Sequence, residues 1–176
     1  NITANTAYYI AVPAVTLSTG WSISFTDNTG YVYTRTGSNS ITFKRNTIIN
    51  LGEFSRTDNN LKLTLKENGK VPADKQVDMG VFTIGEKNYR LIFTKSNLTA
   101  TGLATNEYDY GDYFAWAATE PWYSSATNKW KDDKSGGYTA ANAPYYGTKY
   151  TANGNTLEAA DDAARQILKG DWQIPT

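Results

Sequence analysis

The sequence predicts a mainly β fold with one short helix: an antiparallel β-sandwich portion followed by an α+β portion. Three observations carry this. Several short segments alternate apolar and polar residues with period two, turn residues punctuate them, and helical period occurs in a single stretch near the end of the 176 residues.

From Ala7 to Phe54 the chain reads as strand after strand. "AYYIAVP" is apolar and β-branched or aromatic, and stops at Pro13, where a ladder donor is lost. "WSISFT" sets Trp21, Ile23 and Phe25 on one face and Ser22, Ser24 and Thr26 on the other. "DNTG" (Asp27 to Gly30) supplies a hairpin turn, and "YVYTRT" returns. After a turn at Gly37-Ser38-Asn39-Ser40, "ITFKR" alternates again, and "TIINLGEF" is expected to carry a last strand to Phe54.

Residues 55–80 read as a connector with one strand, or as an edge strand reaching a neighbour. "LKLTLKE" aligns Leu61, Leu63 and Leu65 on one face, between the polar breaks "SRTDNN" and "NGKVPADKQ". The expected division is therefore 1–54, 55–80 and 81–176. The last part opens with a hairpin, "VFTIGEKNYRLIF", turning over Gly85 to Asn88.

From Ala100 to Asn155 no period is sustained, and so long an irregular stretch is commonly functional. "TLEAADDAARQILKG" then places Leu157, Ala160, Ala164, Ile167 and Leu168 on one helical face. Thr156 is the expected N-cap, Asp161 the i,i+4 partner of Arg165, and Gly170 the stop, for roughly three turns. Trp172 and Ile174 alternate like an entering strand.

Composition narrows the chemistry. Lys and Arg total 17, matching 17 Asp and Glu, so no basic excess favours nucleic acid or an anionic membrane. With no Cys and no His, disulfides, thiol or Ser-His-Asp catalysis and Cys/His zinc sites are ruled out. No apolar run is long enough to insert in a membrane as a helix. The start at Asn1-Ile2-Thr3 suggests a processed product or a fragment, and Asp161 to Thr176 reads as a cut through a domain.

Half of the chain's aromatic residues fall between Tyr108 and Tyr150, interleaved with Ser, Gly, Asn and Thr. That mixture suits a binding surface, because rigid amphipathic rings supply contact area while small polar residues adapt. Trp122, Tyr123, Trp130, Tyr138, Tyr145 and Tyr146 are the candidate ligand-binding residues, with packing inside the loop as the alternative. Tyr113, Phe114, Ala115 and Trp116 read instead as a buried strand.

Glu107, Asp109, Asp112 and Glu120 are the remaining catalytic candidates. Their spacing is not diagnostic, so no catalytic residue, enzyme activity, metal or cofactor is assigned. "DNTG", "TDNN" and "NEYDYGD" offer oxygen ligands for calcium, but turn chemistry accounts for them and none matches a calcium-loop pattern.

Two resemblances add to this reading. "AYYIAVP", "GWSISFTDNTG" and "RNTIINLGEF" resemble fimbrillin-like proteins, the β-sandwich pilus and adhesin subunits of Bacteroidales-type anaerobes; the last motif rests on Arg45, Asn46, Ile48, Asn50, Leu51, Gly52 and Phe54. "VDMG", "YDYGDYFAWAATEP", "WKDDKSGGYT" and "TLEAADDAARQILKGDWQIPT" resemble the Fibrobacter succinogenes major paralogous domain, a C-type-lectin-like module, with Ala117 where that pattern has Gly.

The first resemblance implies an extracellular, cell-surface or fimbrial location, from an outer-membrane-attached precursor, and neighbouring pilus subunits as partners by strand addition. The second implies a partial C-type-lectin-like α+β domain that binds a glycan or a host or bacterial surface protein. Together they imply a cell-surface adhesin or pilus-associated subunit. The alternatives are a structural filament or virion-decoration protein, or a carbohydrate-active enzyme working through Glu107 or Glu120.

Overall fold

The structure, a computed structural model, describes residues 6–55, 57–59, 61–131, 142–145, 147–150 and 156–175. These residues form a mainly β protein with antiparallel sheets and a single short helix. The chain divides into two compact units, Asn1–Lys66 with Asp78–Phe93, and Glu67–Val77 with Thr94–Thr176.

The first unit contains β1 (Val15–Leu17), β2 (Ser22–Thr26), β3 (Val32–Thr36), β4 (Ile41–Phe43) and β5 (Leu61–Thr64). β1 pairs with β4, while β2, β3 and β5 form a three-stranded sheet in that order. The alternation in the sequence sets the faces: Ser24 bonds Thr34 through their hydroxyls, while Phe25 and Tyr33 stack with centroids 6.0 Å apart. β5 is an edge strand, with Leu61 opposite Arg35 and buried. In the β2–β3 turn, Asp27 accepts hydrogen bonds from the Thr29 and Tyr31 N–H groups and from the Thr29 and Tyr33 hydroxyls.

Two expected strands do not form among the described residues. Tyr8, Tyr9, Ile10 and Val12 are exposed and lie in no strand. Residues 47–54 are irregular because Arg35 takes the carbonyls a ladder would use. Its Nη1 donates to Leu51 O and its Nη2 to Glu53 O, both at 2.6 Å. Nη2 also pairs with Asp58, and the guanidinium lies 4.0 Å from the Phe54 ring centroid. Asn50 adds a local turn by accepting the Gly52 N–H at 2.8 Å.

β6 (Gln76–Ile84) and β7 (Lys87–Thr94) make the expected hairpin over a shorter turn, Gly85-Glu86. Arg90, on β7, is half-buried and bonded to Asp78 and to the carbonyls of Asp58 and Leu61.

The second unit holds most of the buried apolar residues. Its elements are a 3-10 turn (Ala73–Lys75), β8 (Leu98–Thr99), β9 (Gly102–Leu103), β10 (Tyr123–Ser124), β11 (Lys129–Trp130) and α1 (Ala163–Leu168). α1 buries Ala163, Ala164, Ile167 and Leu168, and Val71 is fully buried. At its C-terminal end the backbone packs against residues 68–70: Lys70 N–H donates to Leu168 O at 2.6 Å, and Trp172 Nε1 donates to Asn68 O at 2.8 Å. A Cβ on Gly69 would stand 2.3 Å from Leu168 O, so this approach requires glycine.

The helix is shorter than the periodicity predicts. Asp162, not Thr156, is the N-cap, accepting the Arg165 N–H at 3.0 Å and the Ile174 N–H at 2.9 Å. Asp161 does not pair with Arg165; its carboxylate is taken by Lys149, Tyr145 and Tyr150. Ala160 is exposed, and the left-handed turn begins at Lys169, one residue before Gly170. Trp172 is buried, but residues 172–175 form no strand, since the Trp172 indole and the Ile174 N–H are bound to Asn68 and Asp162.

Candidate functional site

The site is built on the second unit's two small hairpins. Gly111 (φ +70) lets the chain pass close to the Leu98 carbonyl, where a Cβ would stand 2.5 Å away. Asp112 then ties the hairpins together: Oδ2 accepts the Ala100 N–H at 2.7 Å, and Oδ1 accepts the Ser125 N–H at 2.7 Å and hydroxyl at 2.8 Å. Burial works against its charged form, but the bonds from Ser125 and Ala100 outweigh it and hold the carboxyl below its usual value.

Tyr113 follows as a β-bridge to Tyr123, its N–H donating to Tyr123 O at 3.0 Å, and Tyr123 is paired with Trp130 across β10 and β11. Because neighbouring residues of a strand face opposite ways, Trp122 and Tyr123 separate. Trp122 turns into a core with Ala115 and Ala118 and is 6% exposed.

Tyr123 joins a ring cluster with Tyr113 (4.9 Å between centroids, near-parallel) and Trp130 (5.3 Å, edge-on); Tyr113 and Trp130 are 6.2 Å apart. Tyr113 is 48% and Trp130 36% exposed, so the trio presents ring surface to solvent. The Tyr123 hydroxyl bonds Asn128, whose left-handed φ of +54 shapes the hairpin turn.

Behind Trp122 lies an open concavity of about 470 Å³, lined by Glu120, Trp122, Lys131, Tyr145, Ala160 and Asp161 among others. Asp161 accepts the Tyr145 hydroxyl at 3.1 Å, Lys149 Nζ at 2.7 Å and the Tyr150 hydroxyl at 2.6 Å. Lys149, chiefly, and Tyr150 hold its carboxyl down, and Asp161 with Glu158 pushes the Lys149 ammonium up. Burial, then the bond to Asp161, raises the Tyr150 phenol. Lys131 pairs with Glu120 and lowers its carboxyl.

Each of these groups is bound to a partner that stabilises its resting form. Among the described residues, the carboxylates that shift, Asp112, Glu120 and Asp161, do so downward, away from the raised value a general acid needs. Asp109 is engaged in a turn with Asn106, and Glu107 is exposed. Among the described residues no three carboxylates converge on a point where a cation would sit.

Of the six predicted binding residues, Tyr123 and Trp130 share the exposed cluster, while Trp122 and Tyr145 line the concavity behind it. Tyr138 and Tyr146 lie outside the described residues. The structure corrects the reading of 113–116 as a buried strand. Only Ala115 is buried, Phe114 and Trp116 are half-buried, and Tyr113 makes a single bridge and completes the ring trio. Its sequence signal was the choice of Tyr over Phe beside Gly111 and Asp112, the polar-tipped ring of a half-exposed position.

Compared with known proteins, the chain matches no family model, no curated protein and no solved structure.

Proposed function

We propose that this chain is a binding module of a cell-surface adhesin or pilus-associated subunit, taking a glycan on the ring cluster of Tyr113, Tyr123 and Trp130. The observation that carries the reading is the exposure of two rings of a trio already held in place by β-pairing and by Asp112. Preformed aromatic surface stacks on the C–H face of a sugar ring with little ordering cost.

The lectin-like part of the reading gains support from Ala117. It stands where the lectin-like pattern has Gly, and its φ of +65 is a conformation glycine favours. The pilus part gains support from Tyr9, Ile10 and Val12, exposed apolar residues outside the strands of the described residues, which suit pairing with a neighbouring subunit's sheet.

A glycan and surface-protein array probed with the wild type and with Trp130→Ala tests the proposal. Glycan signals lost in the variant support it. Signals confined to proteins replace the ligand class, and absence of any ligand favours the structural-filament alternative. Turnover of an arrayed glycan would establish the carbohydrate-active alternative instead.

A further inference from the structure

The first unit carries a second concavity, of about 620 Å³, within the range of small-molecule sites. Trp21, Arg35, Ser38, Asn39, Ser40 and Asn50 contribute to its lining. It is preformed: Gly20 N–H donates to Gly37 O at 2.9 Å, Gly37 N–H to Trp21 O at 2.8 Å, and Trp21 Nε1 to Asn39 O at 2.9 Å. A Cβ on Gly37 would stand 2.0 Å from Trp21 Cε2, so the indole rests on bare backbone there. The rest of this half-buried ring is available to the groove.

The polar groups around the ring decide what it would bind. Arg35 is the charged side chain in the lining; its Nη atoms are bound to Asp58 and to the carbonyls of Leu51 and Glu53, while its buried Nε–H has no partner among the described residues. The Arg35 charge is thus already paired with Asp58, which disfavours a second anion, and among the described residues the lining holds no carboxylate for an amine or metal. Ser38, Asn39 and Ser40 are exposed, with side chains that make no hydrogen bond among the described residues. Asn50 spends Oδ1 on Gly52 N–H, leaving its amide donors. One aromatic ring edged by neutral donors and acceptors matches a ligand with an apolar face and a rim of hydroxyls.

We propose that this groove is a second binding site, for a neutral saccharide unit stacked on Trp21 and held by Asn39, Asn50 and the flanking serines. The site is independent of the ring trio in the second unit.

The test is a titration of 15N-labelled protein followed through the Trp21 indole N–H, assigned with Trp21→Phe. The probes are glucose, galactose, mannose, N-acetylglucosamine and their β1,4-linked disaccharides, up to about 50 mM, well above the ~mM Kd expected of a small ligand. Glucuronate and inorganic phosphate are the charged controls. At least one neutral sugar should shift the Trp21 indole saturably, with affinity unchanged in Trp130→Ala and about fivefold weaker in Asn39→Ala, an exposed side chain whose loss spares the fold. No shift with any neutral sugar, a stronger shift with the charged controls, or wild-type affinity in Asn39→Ala would overturn it. Because Trp130 belongs to the other unit, loss of binding at the ring trio leaves this result readable.

Discussion

Removing the carboxylate of Asp112 tests whether the aromatic surface is held rather than merely present. The side chain accepts three hydrogen bonds, from Ala100 N–H, Ser125 N–H and the Ser125 hydroxyl, joining the β8–β9 hairpin to the hairpin that carries Tyr123 and Trp130. Bonds to an ionised acceptor contribute ~1.5–3 kcal/mol each when fully desolvated, but Asp112 is only half-buried, so ~1 kcal/mol each is the better figure. Asp112→Ala should therefore cost about 3 kcal/mol. Asp112→Asn should cost less, ~1–2 kcal/mol, since its amide keeps one acceptor while opposing an N–H donor with another.

The pH dependence follows with its sign. The folded-state pKa of Asp112 is depressed, so its contribution is present above the unfolded value near 3.8 and is lost as pH falls through the lower folded value. Urea denaturation monitored by Trp fluorescence reports mainly on the second unit, which holds Trp116, Trp122, Trp130 and Trp172. The wild type should lose stability on acidification below about pH 4, and the Asn variant should lose less. A cost for Asp112→Ala below about 0.5 kcal/mol, or an Asn variant with the wild-type acid limb, would refute the clamp.

Three further outcomes follow from the packing. Trp122→Ala should destabilise the second unit by ~3–5 kcal/mol in the same urea assay, because the side chain is 6% exposed against Ala115 and Ala118. Asp162→Ala should cost ~2 kcal/mol, since it frees both the Arg165 and Ile174 N–H groups; Asp162→Ser should recover part of that by capping alone. Gly69→Ala should lower the melting temperature far more than Gly85→Ala. Both have left-handed φ, but only the first drives a Cβ to 2.3 Å from a backbone oxygen, and the second should cost ~1 kcal/mol.

The alternating strands 22–26, 32–36, 41–43 and 61–64 were legible because local pattern and burial agree there. What failed did so through distant side chains that claim backbone or cap groups. Residues 47–54 have strand composition, yet Arg35 takes the carbonyls of Leu51 and Glu53. The helical period from Leu157 is real, yet Lys149, Tyr145 and Tyr150 draw Asp161 away and leave Asp162 to start the helix. At the candidate site, aromatic enrichment marked the stretch that holds the ring trio of Tyr113, Tyr123 and Trp130. Sorting Trp122 inward from Tyr123 outward needed the strand boundary at β10, and no period in the sequence marks a two-residue strand.

The most direct test of the account is an affinity ratio. For a glycan identified on the array, titration should give a Kd about tenfold weaker for Trp130→Ala and for Tyr113→Ala, the ~1.4 kcal/mol expected for one stacked ring, with urea midpoints near wild type. Tyr108→Ala is the control, since Tyr108 is 84% exposed but belongs to no ring cluster among the described residues, and it should bind as wild type. Equal weakening by all three variants, or none by Trp130→Ala and Tyr113→Ala, would contradict the assignment of the ring trio as the binding surface.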